Sequence, residues 1–175
     1  MNSTLTHLEC TACGARHSAD ELQNVCRQCG KVLYARYDLV EARKTLTKES
    51  LRARLATLWR YAELLPVRRP ENVLSLGEGF TPLLSLPRIG AELGLTHLYV
   101  KEEGLNPTGS FKARGLSVAV SKAKELGATT LAIPTAGNAG GALAAYAARG
   151  GLTAHVVMPK DAPAANQLET SYYGA

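Results

Sequence analysis

Lys112 stands where a tight loop meets an apolar helix. The segment Asn106-Pro107-Thr108-Gly109-Ser110-Phe111-Lys112-Ala113-Arg114-Gly115 consists of turn residues and small hydroxyls up to Ser110, which can cap the helix that follows. An amine held there, partly out of water, loses its proton more readily than a solvated lysine and becomes a nucleophile suited to Schiff-base chemistry. The plain alternative is a helix-start lysine in solvent. Phe111 is expected to pack in the core beneath the loop.

Four cysteines form a second reactive set. Cys10-Thr11-Ala12-Cys13-Gly14 and Cys26-Arg27-Gln28-Cys29-Gly30 are separated by twelve residues. Each pair fits a knuckle whose glycine accepts the backbone twist that aims N–H groups at sulfur, and four thiolates make a closed tetrahedral site. Cys10, Cys13, Cys26 and Cys29 therefore read as ligands of a structural zinc. Disulfides would need an oxidising compartment, which nothing in the sequence suggests. Redox use of one pair would need a strand–helix context that neither has. His17 could replace a thiolate, but reads first as a lone surface histidine. A ribbon this small depends on its metal to fold.

The elements that position these residues follow from periodicity. Residues 113–126 carry Ala113, Leu116, Val120, Ala123 and Leu126 at helical spacing, and Gly127 stops the helix. Thr129–Ile133 reads as a short buried strand running into Pro134-Thr135-Ala136-Gly137-Asn138-Ala139-Gly140-Gly141. A strand, a Gly-rich turn and a helix start make an anion site from free backbone N–H groups. The helix over 138–148 is apolar nearly all round and should be buried. Further strands are expected at 32–34, 97–101 and 153–158, with helices at 88–93 and 162–173. In the connector, Leu51, Leu55, Leu58, Trp59, Ala62 and Leu65 predict one helix over 47–65, ended by Pro66. Strands alternating with crossover helices imply an α/β fold with a parallel sheet, and ligands beyond the strands' carboxyl ends. Both loops would lie on that edge.

At these segments the chain resembles the fold type II pyridoxal-phosphate enzymes, the tryptophan synthase β-like group. Asn106 to Gly115 is similar to that group's lysine loop and Thr135 to Ala142 to its asparagine loop. The Gly-Glu-Gly-x-Thr-Pro-Leu core of Ser75 to Leu83 narrows the resemblance to the threonine synthases. The resemblance implies a partial tryptophan synthase β-like parallel sheet with flanking helices, behind a small zinc-ribbon module of a kind that fits many members. It implies pyridoxal 5'-phosphate held by Lys112, which would later move protons on the substrate's carbons. Asn138 would hydrogen-bond the cofactor's ring hydroxyl oxygen. Thr135, Ala136, Gly137 and Ala139 would shape the loop that receives the substrate carboxylate. The implied reaction converts O-phosphohomoserine and water to threonine and phosphate. A cysteate synthase or amino-acid β-lyase on the same scaffold is the alternative, and a non-catalytic zinc-ribbon binding module is the alternative of another class. The group's phosphate-cradling loop lies beyond the matched segments, so an N-terminal fragment with little activity of its own is expected. A homodimer stays open for the full-length enzyme.

Composition bounds the rest. The net charge is +5, and eight basic against three acidic residues between Glu41 and Arg69 account for all of it. Such a run reads as a solvated helix face or as attraction for an anionic substrate. Without interleaved aromatics it does not read as a nucleic-acid footprint. No apolar run approaches a membrane span, and the polar N-terminus is unlike a signal peptide, so a cytoplasmic protein is expected. The expected divisions are a ribbon over 1–35, a basic helical connector over 36–70 and an α/β body over 71–175.

Overall fold

Two knuckles and a three-stranded sheet open the fold. The computed structural model describes residues 3–175. Strand β1 (Leu5–Cys10) is flanked by β2 (Arg16–His17) and β3 (Leu33–Tyr37), both antiparallel, with an irregularity between Leu5 and His7. Asp38 then caps α1 (Leu39–Thr45), accepting from the amides of Val40 and Glu41. Among the described residues through 37, the buried ones are Leu5, Cys10, Ala19 and Cys26. Two of these four are cysteines, so there is little apolar core to hold the sheet.

The connector departs from the expected single helix over 47–65. Helix α2 (Lys48–Arg52) ends early, Thr57 is extended, and Leu58–Leu64 forms a 3₁₀ segment. The cause is tertiary hydrogen bonding. The Leu58 amide donates to the Glu78 carbonyl at 2.8 Å instead of back along a helix. Arg54 turns inward and pairs with both carboxylate oxygens of buried Glu63, at 2.6 and 2.7 Å. Leu55, counted in the apolar stripe, is 83% exposed.

The remaining elements are β4 (Leu83–Ser85), α3 (Pro87–Glu92), β5 (Tyr99–Lys101), a 3₁₀ turn at Glu103–Leu105, α4 (Lys112–Glu125), β6 (Thr130–Pro134), α5 (Asn138–Gly150), β7 (Thr153–Val157) and α6 (Ala164–Tyr172). Strands β6 and β7 pair in parallel across α5, as alternation predicts. Strand β5 does not join them. It pairs antiparallel with β4, a strand too short to leave a periodic signal. β6 is also not fully buried: Leu131 and Ile133 pack on the core while Thr130, Ala132 and Pro134 are exposed. No helix among the described residues is long and apolar enough to cross a membrane.

Helices α4 and α5 share the core through Ala113, Val120, Leu143, Tyr146 and Ala147. Their directions follow from connectivity. α5 leaves the carboxyl end of β6 and returns to the amino end of β7, while α4 delivers the chain to the amino end of β6. The two helices therefore run parallel. The bonding agrees: Ser117 and Tyr146 meet on Glu78, and one turn later Ser121 and Gly150 meet on Leu74. Lys112 and Asn138, the first residues of the two helices, thus lie at the same end of the pair.

Candidate active site and cysteine cluster

The loop before Lys112 is held by polar side chains removed from water. Asn106 is buried, and its amide donates to the Glu103 carbonyl at 2.8 Å and to Glu103 Oε2 at 3.1 Å. Its Oδ1 accepts the Gly79 amide at 3.0 Å, which ties the lysine loop to the Gly-Glu-Gly-Phe-Thr-Pro segment. Arg114 grips Glu103 through Nε and Nη2 at 2.6 and 2.7 Å, and Thr81 adds a hydroxyl at 2.5 Å. Arg114, with Thr81 behind it, holds the Glu103 carboxyl down at about 2. Thr81 is thus a structural partner of Glu103. Gly109 takes a φ of +62°, the left-handed turn the loop needs.

Lys112 begins α4 and is half-buried, its amine 4.6 Å from the centroid of the Phe111 ring. Phe111 does not enter the core: it is 57% exposed, because one place before the helix start its side chain leans outward beside the lysine. Ser110 is buried and its Oγ accepts the Lys112 amide at 3.3 Å, a local turn bond and not the deeper cap expected of it. Nearby, the Thr108 Oγ1 is buried without any hydrogen-bond partner.

At the head of α5, Gly137 is the cap residue and no side chain caps the helix. Thr135 Oγ1 accepts the Gly137 amide at 3.2 Å, shaping the turn after β6. The Gly140 amide turns back to the Gly137 carbonyl at 3.0 Å, while the amides of Asn138 and Ala139 are left for an anion at this end. Asn138 and Ala136 are exposed there, while Thr135 and Ala139 are half-buried. No side chain blocks that end at Gly137, where only Asn166 comes within reach of an added Cβ, at 3.7 Å.

Sequence reasoning missed the group that locks this arrangement. Glu78 is fully buried, and its Oε1 accepts from Trp59 Nε1 at 2.8 Å and Ser117 Oγ at 2.6 Å. Its Oε2 accepts from Tyr146 at 2.7 Å, the Leu76 amide at 2.9 Å and Ser75 at 3.2 Å. Burial alone would push this carboxyl up, but bonds from Ser117, Tyr146 and the Leu76 amide hold it below the usual range. The one available signal was a glutamate inside a glycine-rich motif.

The four cysteine sulfurs converge. All lie within 4.8 Å of one another, with Cys10–Cys29 at 3.4 Å, Cys13–Cys29 at 3.6 Å and Cys13–Cys26 at 3.7 Å. Four thiolates about 2.3 Å from one tetrahedral zinc stand roughly 3.8 Å apart, so the spacing fits the metal. Gly14 and Gly30, at φ +71° and +69°, close matching turns in which backbone amides point at Cys10 and Cys26 sulfur. The amides of Cys13 and Ala12 draw the Cys10 thiol down to about 6. His17 is not a lone surface residue: its Nε2 is 3.3 Å from Cys26 Sγ.

The fold and site define an α/β protein with a helix-start lysine beside an open helix terminus, behind a cysteine cluster. Residues 74–175 match the family model described as pyridoxal-phosphate dependent enzyme. The chain belongs to that family. It is similar to the threonine synthase of Methanocaldococcus jannaschii, 42% identical over 95% of this chain and 41% of the relative. It is also similar to that of Methanosarcina acetivorans, 42% identical over 87% of this chain and 37% of the relative. The chain therefore spans about two-fifths of the length of these relatives. A crystal structure of a pyridoxal 5'-phosphate-dependent aspartate racemase superposes with TM-score 0.51 at 36% identity, covering 54% of this chain and 30% of that one. Maize serine racemase gives 0.50 at 32% identity, covering 54% and 29%.

Proposed function

We propose that this chain serves a threonine synthase, which converts O-phosphohomoserine and water into threonine and phosphate. The observation that carries the reading is the placement of Lys112 at the same end of the α4–α5 pair as the uncapped head of α5. The likeness to the threonine synthases of Methanocaldococcus jannaschii and Methanosarcina acetivorans supports the choice of substrate.

The residues present fit pyridoxal phosphate on its lysine side. Lys112 would hold it, the orphaned Thr108 hydroxyl offers a polar partner beside the lysine, and Asn138 would orient its ring oxygen. When bound, the cofactor supplies an electron sink for breaking bonds to carbon. The protein's part is to bind, orient and move protons. Thr135, Ala136, Gly137 and Ala139 would shape the loop that takes the substrate carboxylate on amides left free there, such as that of Ala139, since the Thr135 and Gly137 amides are bonded to the Val157 carbonyl and the Thr135 hydroxyl. The Lys112 amine would move protons at the substrate carbons. Glu103, Asn106 and Arg114 keep the lysine loop rigid, and Glu78 fixes α4 against α5.

Zinc on Cys10, Cys13, Cys26 and Cys29 would be structural, since four thiolates leave no open position. The proposed division is a ribbon over 1–35, a connector over 36–70 and a body over 71–175, although β3 carries the ribbon's sheet on to Tyr37. A cytoplasmic setting accords with four free thiols.

The test is phosphate release from O-phosphohomoserine by the full-length protein, together with visible absorbance of bound pyridoxal phosphate. Lys112→Ala should remove both and leave the circular dichroism unchanged. Release of phosphate by that variant at the parent rate would refute the role of Lys112. A full-length protein that binds pyridoxal phosphate but releases no phosphate would point to a cysteate synthase or a β-lyase.

A further inference from the structure

A cavity of about 270 Å³ lies between the connector and the Gly-Glu-Gly-Phe-Thr-Pro loop, on the other side of α4 from Lys112. Arg60, Lys101 and Arg114 line it with Tyr61, Phe80 and Thr57, and no carboxylate is among the lining residues. Arg114 follows Lys112 by two positions, about 200° around the helix, so the cavity is separate from the lysine site.

Its donors outnumber their partners. Arg60 Nε is buried and makes no hydrogen bond, although buried donors are nearly always paired. Arg114 spends Nε and Nη2 on Glu103 and Thr81, and its Nη1 lies over Gly79. The Lys101 ammonium gives one bond to the Thr81 carbonyl and keeps two further hydrogens. Thr57 precedes the 3₁₀ segment without using its hydroxyl as a cap.

The apolar wall is built under strain. Phe80 has a φ of +54°, the one positive value at a non-glycine among the described residues, and its ring is 65% exposed. A bulky residue in the left-handed region is costly and persists where the surroundings fix it, often at ligand clamps. Here the strain sets the ring 5.0 Å from the Arg60 guanidinium, with Tyr61 at 5.9 Å from the same group.

We propose that this cavity binds a small phosphomonoester carrying one planar apolar group, the phosphate among Arg60, Lys101 and Arg114 and the ring against Phe80 and Tyr61. Guanidinium forks suit a phosphate, and the volume has room for a phosphate and one ring together. Occupancy would reach the lysine loop, because Arg114 holds Glu103, and Glu103 in turn holds Asn106 and Thr81.

Trp59, the single tryptophan, precedes Arg60 in the chain and serves as the fluorescent probe. The protein is titrated with phenyl phosphate, inorganic phosphate and benzyl alcohol while tryptophan fluorescence is followed. Phenyl phosphate should bind saturably and more tightly than inorganic phosphate, and benzyl alcohol should not saturate. Arg60→Gln should weaken phenyl phosphate about tenfold or more, as loss of a charge-assisted contact does. Lys101→Met should weaken it too, and serves alone if Arg60→Gln misfolds. The affinity for phenyl phosphate should be the same in Lys112→Ala and in the exposed Arg88→Gln as in the parent. Loss of the signal in Lys112→Ala would place the ligand in the lysine site and overturn the proposal, as would equal affinity in Arg60→Gln and Lys101→Met or a response that never saturates.

Discussion

The phenol of Tyr146 donates to Glu78 Oε2 at 2.7 Å, inside a core where both side chains are fully buried. This bond joins the middle of α5 to the Gly-Glu-Gly-Phe-Thr-Pro loop, and the opposite carboxylate oxygen joins that loop to Trp59 and to Ser117 of α4. One carboxylate therefore fixes the connector, the loop and both helices that present the candidate site. Five donors meet a charge that would otherwise be too costly to bury.

Tyr146→Phe tests this directly. It leaves the ring and removes one donor, so the expected loss is about 1–3 kcal/mol of unfolding free energy in urea. Burial and the Glu78 charge both push the Tyr146 phenol upward, so it stays protonated as a donor through neutral pH. Glu78→Gln should cost more, because an amide places an N–H where only acceptors fit. A Tyr146→Phe protein as stable as the parent would show that the network is not the lock.

Acid should loosen the connector and the lysine loop in one pH window. Arg54 holds the Glu63 carboxyl down at about 2, well below its ordinary value near 4.5. A depressed folded-state value stabilises above the unfolded value, and the contribution is lost as pH falls from about 4.5 towards 2. Glu103 titrates in the same window because of Arg114. Glu63→Gln leaves Arg54 buried without its charge partner, so a loss of about 3 kcal/mol at pH 7 is expected. The variant should also flatten the stability profile between pH 4.5 and 2. An unchanged slope there would remove Glu63 from the account.

The candidate site residues were legible because their signals are local. The cysteine spacing, the turn before Lys112 and the glycines after α4 and α5 each need only neighbours in the chain. Glu78 was legible as a letter of a motif but not as a hub, since Trp59, Ser117 and Tyr146 stand 19, 39 and 68 positions away. Ser117 and Ser121 were passed over because helical periodicity counts apolar residues, yet both are buried where small hydroxyls meet Glu78 and the Leu74 amide. The connector misled for a related reason. Its apolar spacing is helical, but Leu58 and Arg54 gain more from partners outside the segment.

Gly79 marks the tightest backbone approach near the lysine loop. Its φ is +95°, and an added Cβ would stand 2.7 Å from the Leu58 amide nitrogen and 3.2 Å from Arg114 Nη1. The first contact is with backbone, which cannot rotate away. Gly79→Ala is expected to cost about 3 kcal/mol or more, combining the left-handed penalty with overpacking. Gly77 has the same φ but open space around it, so Gly77→Ala should cost only the conformational part, about 1–2 kcal/mol. Equal losses in the two variants, measured by thermal unfolding, would rule out the backbone clash as the cause.

Metal removal should separate the ribbon from the body. The sheet of β1, β2 and β3 has almost no apolar core, and two of its four buried residues are ligand candidates. Its polar ties to the rest are confined to Ser3, Thr4, Asp20 and the chain's own continuation at Asp38: the Ser3 hydroxyl to the Leu65 carbonyl at 2.5 Å, the Thr4 amide and hydroxyl to the Glu63 carbonyl at 3.0 and 2.9 Å, the Asp38 amide to the Thr4 carbonyl at 2.9 Å, and Asp20 to Arg68 at 2.8 Å and Lys122 at 3.8 Å. Zinc on the four cysteines would therefore supply most of what folds this segment. A chelator should release one zinc per chain, with amides of residues 5–37 losing hydrogen-exchange protection while those of α4 and α5 keep theirs. Cys13→Ser should lower zinc affinity and give the same pattern at lower chelator concentration. Full protection of β1 in a zinc-free protein would mean that hydrogen bonds to the connector hold the sheet without metal.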